Sequence, residues 1–199
     1  MAIISSNHWW ATVGLVVSAA LMDVPVVTSG EVSPAELDMA MSSLRRIFPD
    51  AQQIHSVTLD LTSTEKQFLA EMSQRHWHGD TLTIFVPVDA GSTLGYAVVD
   101  HVKGKDQLIT YLVAVSPELS VKDLEILAYR EPYGGEVGHK SWQKQFFGKH
   151  PGDMMRPGKE IKNISGATIS VRSVTLGVKK VLSLLLIVQN RLPHNLKEP

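Results

Sequence analysis

Apolar positions along this chain follow two rhythms, and the change comes near residue 80. Before it, Leu37, Met41, Leu44 and Phe48 recur at helical spacing behind Ser33-Pro34-Ala35-Glu36. Ser33 can cap such a helix, Pro34 suits its first turn, Glu36 completes a capping box, and Pro49 ends the element. A second helix is predicted over residues 64–74, with Phe68, Leu69 and Met72 facing inward. From Thr81 the period becomes two, which predicts strands over residues 81–88, 95–102, 107–115 and 123–129. Gly91, Gly95 and Gly104-Lys105 mark the turns between them. This order predicts an antiparallel meander in which residues 95–116 form a hairpin.

Beyond the strands comes a glycine-bearing loop, EPYGGEVG, and then a short amphipathic helix over residues 140–147 with Trp142 and Phe146 on one face. A polar connection, residues 148–162, leads to a long helix over residues 169–190. Val171, Val174, Val178, Val181, Leu185 and Val188 make its apolar stripe. Leu184, Leu186 and Ile187 widen that stripe, which reads as deeper burial or as a contact with a partner or with the N-terminal segment. The fold class is α+β, a twisted antiparallel sheet with packed helices.

Composition narrows the function. At 199 residues with 44% hydrophobic and 20% charged content, the chain suits one globular domain plus a short terminal appendage. A net charge of −1 leaves no overall nucleic-acid footprint. The charge is uneven, however. From Lys140 onward eleven Lys or Arg residues face Asp153, Glu160 and Glu198, a net of +8 against −9 for the rest. That suits an anionic ligand in the C-terminal third, or simply a solvated basic face. The absence of cysteine excludes disulfides, thiol catalysis and thiolate-held clusters, and fits an oxidising compartment. Residues 9–22 are almost wholly apolar, with Ser18, Ala19 and Ala20 near their end. The run is short for a span of ~20 residues and has the length of a signal-peptide core, although no Lys or Arg precedes Arg45. Residues 1–30 are therefore assigned to a signal peptide or membrane anchor and residues 31–199 to the folded domain. The alternative is a buried N-terminal helix or strand.

The segment with most chemistry is Asn163-Ile164-Ser165-Gly166-Ala167-Thr168-Ile169-Ser170, just ahead of the long helix. Ser165 and Thr168 supply hydroxyls, while Gly166 and Ala167 allow close approach to the backbone. A helix start leaves amide N–H groups unpaired and carries partial positive charge, so a phosphate can settle there. Plain helix capping by Ser165 or Thr168 is the competing reading.

SGATIS resembles the flavinylation motif of the FMN-binding domain family. That family includes the extracytoplasmic flavin subunits of the Rnf complex and of the sodium-pumping NADH:quinone oxidoreductase. Further elements occur in the family's order. Leu94-Gly95-Tyr96-Ala97 resembles its GYA strand start, and residues 125–131 (EILAYRE) resemble the strand leading to a glycine-rich loop. Tyr133-Gly134-Gly135-Glu136 and residues 142–149 (WQKQFFGK) resemble the branch with YGGE and QF-GK elements. The resemblance covers roughly residues 81–186.

The resemblance implies an FMN cofactor joined by a flavin transferase through a phosphoester to Thr168, beside Ser165, Gly166 and Ala167. The N-terminus of the last helix then carries the flavin phosphate site. It also implies that Tyr133, Gly134, Gly135 and Glu136 lie beside the isoalloxazine ring, though a simple two-glycine turn is the other reading of that loop. Trp142 and Phe146 belong to the core or near the ring. Lys162 stands where the family usually has an acidic residue, and can pair with the phosphate. The implied function is electron relay through FMN, in an extracytoplasmic (periplasmic) subunit or partner of a membrane-associated redox chain, soluble or anchored by its N-terminus. The implied partners are redox proteins of that chain, and no residue is assigned as catalytic. A different class is a non-catalytic sensory or assembly module on the same fold that binds FMN weakly or not at all, a reading Lys162 favours. Turnover of a small substrate with free FMN is a third.

Other signals are weaker. His76-Trp77-His78 resembles half a metal site but reads as a surface turn, and no metal ligand is assigned. Glu131 and Glu136 read as parts of a cofactor loop rather than as a hydrolytic pair. No Walker-type phosphate loop, dinucleotide fingerprint or nucleophile elbow is present.

Overall fold

The computed structural model describes residues 32–73 and 75–194. The N-terminal apolar run, read as a signal peptide or anchor, lies outside the described residues. Helix α1 (Pro34–Ile47) opens with the expected capping box: the Ser33 hydroxyl accepts from the Glu36 amide, and the Glu36 carboxylate accepts from the Ser33 amide. Strand β1 (Gln53–Asp60) and helix α2 (Ser63–Ser73) come next. Then come β2 (Thr81–Asp89), the two-residue β3 (Ser92–Thr93), β4 (Tyr96–Lys103), β5 (Leu108–Val115) and β6 (Val121–Tyr129). A 3-10 turn (Gly135–Gly138), the single-turn α3 (Lys140–Gln143) and a second 3-10 turn (Lys144–Phe146) lead to the long helix α4 (Thr168–Ile187).

The strands form one antiparallel sheet in the order β1-β2-β4-β5-β6, with β3 paired to β2, so the meander expected from sequence is present. Strand β1 is an addition to that expectation. Its apolar residues Ile54, Val57 and Leu59 serve opposite faces of an edge strand, so they do not alternate cleanly: Ile54 packs toward the α1 side, and Val57 and Leu59 toward the other.

Each face of the sheet has its own core. Along β4 and β5, Tyr96, Val98, Val102, Ile109, Tyr111, Val113 and Val115 point to the face covered by α4. Ala97, Val99, Leu112 and Ala114 point to the face covered by Ala40, Leu44 and Phe48 of α1 and its end. The α4 stripe is buried as expected, with Lys180, Ser173, Thr175 and Ser183 beside it; of the three residues that widen the stripe, Leu184 is buried while Leu186 and Ile187 are half-buried, so the deeper-burial reading holds for Leu184 alone. Helix α2 differs from expectation. Phe68 and Met72 are exposed, because the helix turns Leu69 and Ser73 inward, and only Leu69 of the expected trio is buried.

Two features set α4 against the sheet. Gly177 leaves the space that Tyr111 fills, since a Cβ there would come within 2.8 Å of the Tyr111 ring and 2.9 Å of Val102. Close by, the buried Lys180 ammonium meets Asp100 at 2.7 Å, and the Tyr111 hydroxyl donates to the same carboxylate at 2.5 Å. Burial, then the Asp100 charge and hydrogen bond, push the Tyr111 phenol well above its ordinary value.

Strand β6 carries two irregularities opposite β5. Thr110 pairs with Ala128 but Tyr111 pairs with Ile126, so Leu127 is an extra residue. This bulge reverses the facing of the residues beyond it. Without it Tyr129, three residues from Ile126, would point to the α1 side. With it, Tyr129 points to the α4 side, opposite Ile109.

Candidate functional site

The start of α4 is built from the SGAT turn. The Ala167 amide bonds the Ile164 carbonyl at 3.0 Å, and Gly166 takes φ +79°, so Ile164–Ala167 is a turn that demands glycine at its third position. Ala167 is the N-cap, and no side chain caps the helix there. The capping reading of Ser165 and Thr168 is thus not what the structure forms. The first intrahelical bond runs from Val171 to Ala167 at 2.9 Å, which leaves the amides of Thr168, Ile169 and Ser170 without intrahelical acceptors at the positive end of a 20-residue helix. Ser165, Gly166, Thr168 and Ile169 are exposed, and Ala167 and Ser170 are buried.

The YGGE loop lies directly against this turn. Gly134 sits at φ +89°, and a Cβ on it would stand 2.6 Å from the Ala167 Cβ and 2.7 Å from the Tyr129 hydroxyl. Gly134 is buried there, while Gly135 has open space around its Cα and Glu136 is exposed in the 3-10 turn. Tyr133 is 79% exposed, a large aromatic face left in solvent beside the helix start. Two segments separated by about thirty residues of chain therefore meet at one place.

Sequence reasoning missed what joins them. The Tyr129 hydroxyl donates to the Tyr133 carbonyl and lies 2.9 Å from the Ser170 Oγ. The phenol has one proton and gives it to the carbonyl, so Ser170 is the donor in the second bond. Burial raises the Tyr129 phenol above its ordinary value, opposed by the Ser170 bond and aided by the charges of Glu131 and Glu136, so it keeps its proton at neutral pH. The bulge at Leu127, which aims Tyr129 at α4, leaves no plain periodic signal in the sequence. Arg172 is the next cation along the helix. It lies one helical turn beyond Thr168 on the same face and is exposed, with no ion pair among the described residues.

Lys162 is exposed, and its backbone is held on both sides. Its amide donates to the Gln145 Oε1 at 2.8 Å, and its carbonyl accepts from the Trp142 Nε1 at 2.9 Å. The Lys162 side chain thus presents charge on a fixed stretch of main chain. Trp142 and Phe146 are buried in the core and pack edge to face at 5.2 Å. Glu131 is committed elsewhere: one carboxylate oxygen accepts the amides of Gln107 and Asp106 at 2.9 and 2.8 Å. Those amides hold its carboxyl below the usual range, Gln107 contributing most. Glu131 therefore ties the β4–β5 turn to the loop entrance and does not form a carboxylate pair with Glu136. His76 and His78 are exposed on either side of the buried Trp77. Among the described residues, no group of three or more His, Asp or Glu is placed to hold a metal, and no helix is long and apolar enough to cross a membrane.

Comparison with known proteins bears on this geometry. Residues 104–183 match the model of the FMN-binding domain family. The fold is similar to the crystal structure of NqrC from Shewanella oneidensis, with a TM-score of 0.56 at 14% identity, covering 80% of this chain and 98% of that one. It is similar also to the C subunit of Na(+)-translocating NADH-quinone reductase from Parabacteroides distasonis, with a TM-score of 0.50 at 16% identity over 80% and 85% of the two chains. Comparison with curated proteins gives no match. The resemblance read in the sequence is thereby borne out: residues 104–183, which hold both the YGGE loop and the start of α4, carry the pattern of the FMN-binding domain family, on a fold similar to that of NqrC.

Proposed function

We propose that this protein is an FMN-binding electron-transfer domain, a subunit or partner of a membrane-associated redox complex, with its flavin joined to Thr168. The observation that carries the reading is the contact of Gly134 with Ala167, which joins the YGGE loop to an uncapped helix start. The amides of Thr168, Ile169 and Ser170, with the Lys162 ammonium, hold the phosphate. The exposed Thr168 hydroxyl is the ester oxygen, free of a capping role. Tyr133, Gly134, Gly135 and Glu136 border the isoalloxazine ring: Tyr133 offers an aromatic face, and the glycines let main-chain amides approach. When bound, the flavin supplies one- and two-electron chemistry, and the protein's part is to place it and tune it. The NADH-quinone reductase subunits of similar fold support a redox-complex setting. The apolar residues 9–22 and the absence of cysteine support a periplasmic location, with or without an N-terminal anchor.

Intact mass and a visible spectrum on protein co-produced with a flavin transferase test this reading, with Thr168→Val beside it. The expected result is a gain of ~438 Da, one FMN less water, that survives denaturation and vanishes in the variant. Yellow protein that releases its flavin on denaturation keeps FMN binding and removes the ester, pointing to Lys162. Folded, colourless protein of unmodified mass overturns the reading and favours the sensory or assembly module.

A further inference from the structure

Tyr129 sits where the two halves of the proposed site meet, yet it belongs to neither motif. Its hydroxyl bonds the carbonyl of Tyr133, at the entrance of the YGGE loop, and the hydroxyl of Ser170, in the first turn of α4. The same oxygen occupies the space that a Cβ on Gly134 would need. Its ring is packed against the core on the α4 side, and its backbone pairs with Ile109 of β5. The strut is therefore mounted on the sheet and not on either of the segments it joins. Ser170 donates its single hydroxyl proton into this bridge, which holds the first turn of α4 at a set distance from the loop.

We infer that Tyr129 is a positioning residue that fixes the spacing between the ring-side loop and the phosphate-side helix start, and so selects a ligand carrying both ends on one linker. The inference rests on the FMN reading of the site. A ligand with two joined ends binds more tightly than its parts only when the two subsites stand at the separation its linker spans. Removing the strut leaves each subsite in existence and loosens their spacing. The loss then falls on the joined ligand and spares the fragments, which a general loss of packing would not do.

The test uses the full chain carrying Thr168→Val, so that all binding is noncovalent and reversible. Equilibrium dialysis and flavin fluorescence give the affinities of FMN, of riboflavin (the ring without phosphate) and of inorganic phosphate, with and without Tyr129→Phe. The expected result is at least a tenfold loss for FMN, with riboflavin and phosphate each changed less than about threefold. Ser170→Ala attacks the bridge from its other end and leaves the Tyr129–Tyr133 bond in place, so it should give the same pattern with a smaller amplitude. Unchanged FMN affinity in both variants overturns the inference. Equal weakening of FMN and riboflavin also overturns it, and makes Tyr129 a ring contact or a fold residue instead. If the Thr168→Val parent binds riboflavin as well as it binds FMN, the phosphate subsite is refuted along with the strut. If it binds neither, the paired subsites are refuted and the inference fails, while the mass gain of the wild-type chain decides the FMN reading separately.

Discussion

Gly134 and Gly135 are adjacent in the same motif, and the structure assigns them opposite tolerances. Gly134 has φ +89°, and an added Cβ would stand 2.6 Å from the Ala167 Cβ and 2.7 Å from the Tyr129 hydroxyl. Neither neighbour is the free end of a flexible chain, because Ala167 is buried at the N-cap and Tyr129 is held by two hydrogen bonds. For Gly134→Ala the left-handed backbone costs roughly 1–2 kcal/mol. Overpacking against fixed neighbours costs a further 1–3 kcal/mol or so. The expected loss is about 2–5 kcal/mol, and relief of the contact must push the YGGE loop away from α4. Gly135 lies outside the positive-φ set and has nothing within 4 Å of a built Cβ, so Gly135→Ala should change stability by no more than ~1 kcal/mol, in either direction. Urea denaturation followed by tryptophan fluorescence separates the two, provided the slope with denaturant is unchanged. Coincident midpoints for the two variants, or a Gly134→Ala protein within ~0.5 kcal/mol of wild type, would refute the claimed contact between loop and helix.

Two further outcomes rest on contacts elsewhere in the fold. Glu36 is buried, which by itself raises its pKa. The Ser33 amide and hydroxyl, the Thr110 hydroxyl and Arg130 outweigh that and hold it near 2, against an ordinary value of 4.5. A folded pKa below the unfolded one means stabilisation that is fully present above about pH 4.5 and lost as the pH falls toward 2. Glu36→Gln should therefore cost about 1–3 kcal/mol at neutral pH. That gap should narrow through the same acidic window in urea titrations; a gap independent of pH would contradict the assignment. Gly177→Ala, in the middle of a helix, would ordinarily stabilise by ~1 kcal/mol. Here the new Cβ meets Tyr111 and Val102, so the melting temperature should fall, and a rise would show that α4 is not seated on Tyr111 as described.

The parts of the fold that were legible in sequence are those whose signals are local. The capping box at Ser33 and Glu36, the period-two strands from Thr81, the hairpin of β4 and β5 and the valine stripe of α4 each depend on neighbours a few residues away. The illegible parts depend on contacts far along the chain. Glu36 reads as a cap, yet its second oxygen accepts from Thr110, 74 residues on. Lys180 interrupts a helix face as a surface lysine would, but is buried by its pairing with Asp100. Phe68 and Met72 have helical spacing, and nothing nearby says that Leu69 and Ser73 win the inward face. Tyr129 has the wrong parity to face α4 until the bulge at Leu127 is known. The residues of the proposed site stand out in the sequence as motifs, whereas the hydroxyl bridge between those motifs does not.

The uncapped start of α4 is the local rule this fold breaks, and the rest of the helix explains how it can. An N-cap side chain is worth ~1 kcal/mol, and Ala167 supplies none. Each fully buried valine or leucine contributes roughly 1.5–3 kcal/mol, and Val171, Val174, Val178, Val181 and Leu185 are all fully buried. The omission is small beside that sum. Strand β5 grips the middle of α4 through Tyr111 and Gly177, and β6, paired to β5, grips its start through Tyr129. From Ser170 to Gly177, at about 1.5 Å per residue, the two grips are separated by roughly 10 Å of rigid helix. The first-turn amides are thus held in position by contacts that do not use them. The same holds one step earlier in the chain, where the Lys162 amide and carbonyl are both pinned and its side chain is left exposed. A change of charge at that position therefore leaves the route of the loop intact. On the proposed reading, the main chain supplies the geometry that receives the phosphate, and the Lys162 charge adjusts only how strongly it is received.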